Sequence, residues 1–462
     1  MKLPTAIFRE YDIRGTVGDQ LTPEVGRAIG QAVATLGWER LGRAPRLAVG
    51  RDNRPSGPAL AHGLLSGIEA AGGHGVDVGE LPTPALYFAT HVLNVDGGVQ
   101  VTGSHNPPEF NGFKLVLGGE AVAGPDIQGL RRLIEEGRTP GRPGGGHSED
   151  GSVLPRYRDA IVQRNGPLPR KVKVVVDCGN GVSSLIAVDT LARLGADVVP
   201  LFCQSDGTFP NHHPDPSALE NLRDLQAAVR RDGGELGIAF DGDGDRIGAV
   251  DDQGRPVFGD QLLVLLGRDL ARRMGPGHAV IFDVKCSEVL PRELARAGLV
   301  PTMWKTGHSL IKQKMKETRA PLAGEMSGHI FFADGYYGFD DAVYVAVRLL
   351  DILSRASLGL AEMRDRLPAV VNTPELRFDC SENRKFEVVR EVRERLRKAG
   401  AEVTDIDGVR VRKPEGWWLL RASNTQAVLV ARAESATDEG LARLKRELGA
   451  ELAKSGVALP DA

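Results

Sequence analysis

Three times in the first three quarters of the chain, a short apolar strand runs straight into a helix-patterned stretch. Arg46-Leu-Ala-Val-Gly50 leads into 57–73, Val172-Lys-Val-Val-Val-Asp177 passes Gly179-Asn-Gly181 into 183–194, and Ala279-Val-Ile-Phe-Asp283 leads into 287–297. Alternation of this kind predicts βαβ units with mixed or parallel sheets. At 462 residues the chain is too long for one core, so the units are expected as separate domains. The expected fold class is α/β: three similar α/β domains with mixed sheets plus a smaller C-terminal α+β domain. In that last part, helical patterns at 382–399 and 438–454 flank strands such as Ala427-Val-Leu-Val-Ala-Arg432 without repeated crossovers. Divisions are expected at 1–150, 151–253, 254–367 and 368–462. The turn-forming run Thr139-Pro-Gly-Arg-Pro-Gly-Gly-Gly-His147 lies near the first, Asp251-Asp-Gln-Gly254 near the second, and a helical 340–356 closes the third unit.

Two polar segments carry the chemistry. Thr102-Gly-Ser-His-Asn-Pro107 follows the alternating apolar run 98–102 and offers the Ser104 hydroxyl in a tight turn. Serine and asparagine favour turns for their own reasons, so this segment alone is weak. Asp241-Gly-Asp-Gly-Asp-Arg246 is stronger: it begins where the apolar strand Leu236-Gly-Ile-Ala-Phe240 ends, the edge at which open α/β sheets bind ligands. Alternating with glycine, Asp241, Asp243 and Asp245 can turn three oxygens toward one point, and unpaired they would repel. A calcium EF-hand loop needs glycine at its sixth position and glutamate at its twelfth, where this chain has Arg246 and Asp252. Few protein ligands with open coordination positions favour Mg²⁺ shared with a phosphate. A nucleophile beside a metal cage points to phosphoryl transfer.

Composition narrows the partners. Apolar residues make up 41% and charged residues 26%, as in an ordinary globular protein, and the net charge of −3 gives no footing for nucleic acid or an anionic membrane. No apolar run is long enough to span a bilayer and the first residues lack a signal-peptide core, so a cytoplasmic chain is expected. Four cysteines without a Cys-x-x-Cys pair argue against a disulfide framework or a zinc site.

Further polar loops sit at expected strand ends. Arg421-Ala-Ser-Asn-Thr425 combines a guanidinium, two hydroxyls and an amide, either a phosphate cradle or an ordinary polar hairpin. Gly324-Glu-Met-Ser-Gly-His329 places Glu325 and Ser327 to hydrogen-bond sugar hydroxyls and His329 to move a proton. Lys114, Lys285, and Lys305 with His308 also neighbour strand ends, where lysines are usually only solubilising. His212 and His213 point opposite ways in an extended chain and read as loop residues.

Taken in order, Tyr11-Asp-Ile-Arg-Gly15 and the loops at 102–107, 241–246, 324–329 and 421–425 resemble the signature segments of the α-D-phosphohexomutase family, most closely its bacterial phosphomannomutase/phosphoglucomutase branch. The resemblance spans the chain. It implies four domains around a central cleft, each giving one loop: phosphoserine, metal-binding, sugar-recognition and phosphate-binding. It further implies that phosphorylated Ser104 gives its phosphoryl to a hexose 1- or 6-phosphate, with Mg²⁺ on Asp241, Asp243, Asp245 and a phosphoserine oxygen. The bisphosphate formed, glucose or mannose 1,6-bisphosphate, turns end over end and returns a phosphoryl to Ser104. By the same resemblance Lys114 and His329 are the acid/base groups, and Arg14 and His105 support the phosphoserine. Tyr11 of the amino-terminal element, Arg246 beside the metal loop, Lys285 and His308 contact substrate, and Arg421, Ser423, Asn424 and Thr425 hold the distal phosphate.

Hexose phosphates are the expected partners, without nucleic acid or membrane, and a monomer is expected. Glu325-Met-Ser327 looks like the dual-specificity branch, whereas phosphoglucosamine mutases, the alternative among enzymes, usually have glutamine at the position of Met326. The alternative from another class is a non-catalytic sugar-phosphate-binding phosphoprotein, and the full set of Ser104, three aspartates, Lys114 and His329 counts against it. One departure stands out: Gln426-Ala427 follows Thr425 where the branch commonly has Thr-Pro, which implies a more mobile or weaker phosphate loop.

Overall fold

The computed structural model describes residues 3–424 and 426–460. Its first sheet is mixed, running Ile13–Thr16, Phe110–Leu117, Gly97–Val101, Arg46–Arg51, His74–Glu80 and Gly146–Glu149, with Glu120–Ala121 beside Phe110–Leu117. The second runs Pro256–Val257, Ile247–Asp251, Leu236–Phe240, Lys173–Asp177 and Asp197–Leu201, parallel only across its last three strands. The third runs Val300–Trp304, Ala279–Asp283, Leu322–Gly324 and Ile330–Phe332. The fourth is antiparallel throughout, built on Val409–Lys413, Gly416–Ala422 and Val428–Ser435 with the helices Glu382–Lys398 and Asp438–Ala453. The expected fold class, three α/β domains with mixed sheets and an α+β tail, is the one observed.

Each expected helix is present, with informative differences at the ends. The stretch 183–194 splits into a 3₁₀ turn at Val182–Leu185 and a helix at Ala187–Arg193, with Ile186 leaving helical geometry between them at φ −141° and ψ −32°. The helix expected from 340 starts at Ala342, since the Asp341 side chain caps it by accepting from Tyr344 N–H. The glycine-rich linker ends as an edge strand, Gly146–Glu149, parallel to His74–Glu80. The turn at 251–254 joins Ile247–Asp251 to Pro256–Val257 within the second sheet.

One hydrophobic cluster runs through the first three sheets, from Phe88 through Tyr157, Val174 and Phe240 to Phe282 and Tyr344. The tail domain has its own core around Trp418, Leu444 and Val392. At the heart of this continuous core, Tyr157 and Tyr336 hydroxyls donate to Asp341 at 2.8 and 2.6 Å, and burial raises the Asp341 pKa to about 6.

In the first domain, helices Pro23–Leu41 and Gly57–Ala70 approach backbone to backbone. A Cβ on Gly30 would lie 2.1 Å from Leu64 O, and one on Gly67 would lie 2.0 Å from Arg27 O. Gly30→Ala gains helix propensity but must push the helices apart, at a cost of about 1–3 kcal/mol. A thermal midpoint lowered by a few degrees is expected in a melting experiment; an unchanged or raised midpoint would show that the contact yields.

Candidate active site

The three aspartates occupy the turn leaving Leu236–Phe240, and all three are fully buried. Asp241 Oδ1 accepts from the N–H groups of Gly244, Asp245 and Arg246, each at 3.0 Å, so the loop folds around its own first carboxylate. Burial, with Asp243 and Asp245 adding repulsion, raises the Asp241 pKa well above the carboxylate range. Burial acts the same way on Asp243, but Lys114 outweighs it and holds that group below its ordinary value.

Lys114 comes from the neighbouring domain, on Phe110–Leu117. Its Nζ donates to Asp243 Oδ2 at 2.7 Å and to Asp245 Oδ2. Burial alone would lower its pKa; the two carboxylates reverse this and hold the ammonium well above its usual value. Among the described residues, Asp243 Oδ1 and Asp245 Oδ1 accept no hydrogen bond. The three aspartates each offer an oxygen within 4.8 Å of the others. Two orphaned, buried carboxylate oxygens in such a cluster are a fitting cage for a hard divalent cation.

Ser104 projects into the same place. Its Oγ lies 3.2 Å from Asp241 Oδ2 and 3.2 Å from His105 Nδ1. A Cβ on Gly242 would sit 2.5 Å from Ser104 O, which is why the serine loop can lie on the aspartate loop at all. Ser104 has φ +51°, a left-handed conformation costly for a non-glycine residue. Two residues that the sequence reading passed over hold it there. Arg54, 1% exposed, donates to four carbonyls of this loop: Ser104 O (2.8 Å), Asn106 O (2.5 Å), Pro107 O (2.6 Å) and Phe110 O (3.0 Å). Asp52 pairs with Arg54 and accepts from Thr102 Oγ1 and Gly103 N–H. Their signal was an acid and a base just after the strand Arg46–Arg51, the ligand edge of an α/β sheet.

The remaining expected residues line a cleft of about 1140 Å³ in front of this floor, with every domain contributing. Arg14 Nη1 donates to Asn106 Oδ1 at 3.0 Å, beside the serine. Burial, then Arg246 and Arg14, push the His105 pKa well below normal. Arg246 Nε donates to His329 Nε2 at 2.9 Å, and His329 Nδ1 lies 2.9 Å from Asp340. His308 stacks on His329 with centroids 5.5 Å apart, its pKa lowered by burial and by Lys312. Glu325 accepts from Gly307 N–H and Ser327 Oγ. Lys285 is paired with Glu375 at 3.0 Å and Arg421 with Asp407 at 3.1 Å. Asn424 Nδ2 reaches Tyr11 OH, which itself donates to Thr306 O. Ser423 lines the cleft; Thr425 lies outside the described residues.

Three other details refine the sequence reading. Gln426 does not leave the phosphate loop untethered: its Oε1 accepts from Arg377 at 2.8 Å and its carbonyl from Lys385 at 2.9 Å. The Met326 sulfur is in contact with Arg432, so part of what that position does is to join the third and fourth domains. Cys178 and Cys203, both free thiols, lie with sulfurs 3.1 Å apart.

Four consecutive domain models of one family match the chain: phosphoglucomutase/phosphomannomutase alpha/beta/alpha domains I, II and III at 5–140, 155–254 and 258–370, and the C-terminal domain at 375–450. The chain belongs to the phosphoglucomutase/phosphomannomutase family. Within that family it is 47% identical to the phosphomannomutase/phosphoglucomutase of Pseudomonas aeruginosa, over 99% of this chain and 98% of the relative. It is 43% identical to a phosphoglucomutase of Neisseria gonorrhoeae, covering 96% of each. An X-ray structure of a family member from Burkholderia thailandensis superposes with a TM-score of 0.92 at 43% identity, covering 99% of both chains.

Arg54→Met would leave four loop carbonyls without their donor and Asp52 buried without its cation. The expected cost is about 3–5 kcal/mol, and Arg54→Lys should rescue little, because one ammonium cannot span the fork's contacts. Thermal unfolding measures this; a methionine variant as stable as wild type would refute the role.

Proposed function

We propose that this protein interconverts the 1- and 6-phosphates of mannose and glucose through a phosphoserine at Ser104 and a hexose 1,6-bisphosphate intermediate. The observation that carries the reading is the Ser104 hydroxyl 3.2 Å from Asp241, on a floor of buried carboxylates whose Asp243 and Asp245 Oδ1 atoms have no partner among the described residues. Asp241, Asp243, Asp245 and an oxygen on Ser104 would hold Mg²⁺, which when bound neutralises charge on the transferring phosphoryl group. In the forward step the Ser104 Oγ–P bond breaks as a sugar hydroxyl oxygen bonds to phosphorus; the hydroxyl proton leaves to a base, and the departing Ser104 Oγ takes a proton from an acid to become the hydroxyl again. Lys114 and His329 are the groups we assign to these proton transfers, with Lys114 entering protonated because Asp243 and Asp245 hold it so. Arg14 and His105 flank the phosphoserine, and Arg246 steadies His329.

Glu325 and Ser327 with Lys285 and His308 would grip the sugar, while Arg421, Ser423, Asn424 and Thr425 hold the far phosphate beside Tyr11. A grip on the 3- and 4-hydroxyls accepts both glucose and mannose, which differ only at C2. We place the domain divisions at 1–150, 151–253, 254–367 and 368–462, and propose a cytoplasmic monomer; among the described residues no helix is long and apolar enough to cross a membrane.

Initial rates on mannose 1-phosphate, glucose 1-phosphate and glucosamine 1-phosphate, with Mg²⁺ and catalytic glucose 1,6-bisphosphate, test the substrate assignment. Similar rates on the first two and little on the third are expected; preference for the amino sugar would move the protein to phosphoglucosamine mutase. Ser104→Ala should lose turnover by about three orders of magnitude or more, and near-normal turnover would sink the mechanism.

A further inference from the structure

Asp243 has a partner that no part of the reaction above uses. Helix Thr83–Val92 of the first domain points its N-terminus at the aspartate loop of the second. Thr83 is fully buried; its Oγ1 donates to Asp243 Oδ2 at 2.6 Å, and its backbone N–H donates to Asp243 O at 2.9 Å. The carboxylate is thereby divided: Oδ2 is held by Thr83 and Lys114, while Oδ1 is buried without a hydrogen-bond partner among the described residues.

We propose that Thr83 is a positioning residue for the metal site, fixing which oxygen of Asp243 faces the cation. A carboxylate with one anchored oxygen presents the other in a single orientation, whereas one held only by the flexible Lys114 stem can rotate about its Cβ–Cγ bond. Hydrogen-bond partners behind metal ligands raise affinity by this orienting effect. The backbone contact from Thr83 N–H survives substitution, so the hydroxyl's part can be separated from the docking of the helix. Tyr87, one turn further along, lies under the Lys312 ammonium at 4.2 Å and ties the same helix to the third domain. The inference rests on the metal-dependent reading of the aspartate loop.

The test is Mn²⁺ binding to the full chain, followed by electron paramagnetic resonance of the free ion, for wild type, Thr83→Val and Thr83→Ser. Valine keeps the shape and loses the donor; serine keeps the donor. Thr83→Val should weaken Mn²⁺ binding about 10- to 100-fold, and Thr83→Ser should bind within a few-fold of wild type. Wild-type affinity in a folded Thr83→Val protein overturns this inference alone. So does weak binding by Thr83→Ser, which also serves if the valine variant fails to fold. A wild-type protein that holds no Mn²⁺ overturns the metal-dependent reading itself and this inference with it.

Discussion

Three carboxylates buried in one loop repel one another and are costly to keep out of water, and much of the molecule answers that cost. Asp241 Oδ1 is satisfied from within by three backbone N–H groups; Oδ2 of Asp243 and of Asp245 is paired from outside by Lys114, which belongs to another domain, as does Thr83, which also donates to Asp243. The second domain's loop therefore cannot be assembled properly unless the first domain is docked on it. The same docking sets Ser104 against Asp241 and makes Gly242 obligatory beneath the serine carbonyl. Fold and site share one constraint, and among the described residues Oδ1 of Asp243 and of Asp245 is left without a partner where a cation fits.

The constraint also divides the protein mechanically. Domains one to three share a continuous apolar core, which keeps serine, aspartates and histidines in fixed register. The fourth domain has a separate core and meets the third both through a small apolar cluster of Val284, Met303, Ile406, Trp417 and Leu419 and through polar contacts, with Arg410 donating to Val284 and Cys286 carbonyls and Arg432 to Lys285 O. Its cleft-facing cations are already paired, Arg421 with Asp407, as is Lys285 with Glu375. On the roles proposed for Arg421 and Lys285, a sugar phosphate would compete with those carboxylates, so that binding energy would be partly offset by broken ion pairs. That exchange suits an intermediate that has to be held and then turned.

The strand and helix order was legible because buried strands and amphipathic helices repeat on their own periods. The loops at 102–107 and 241–246 were legible because their chemistry is local: hydroxyl, carboxylates and glycines sit next to each other in the chain. Arg54 and Thr83 were not, because each acts on partners far along the sequence, Ser104 at 50 residues and Asp243 at 160 residues away. Beside their own neighbours, they read as ordinary strand-end and helix-start residues. The partners of Gln426 were hidden for the same reason: Arg377 and Lys385, which it accepts from, lie far from it in the sequence.

The most direct test of the account is to label the protein with hexose 1,6-bisphosphate carrying ³²P, isolate it, and map the label by peptide mass spectrometry. Label on the peptide containing Ser104, discharged to the sugar when unlabelled glucose 1-phosphate is added, is the predicted result. Label elsewhere, or steady turnover with no label on the protein, would contradict a phosphoserine at the centre of this site.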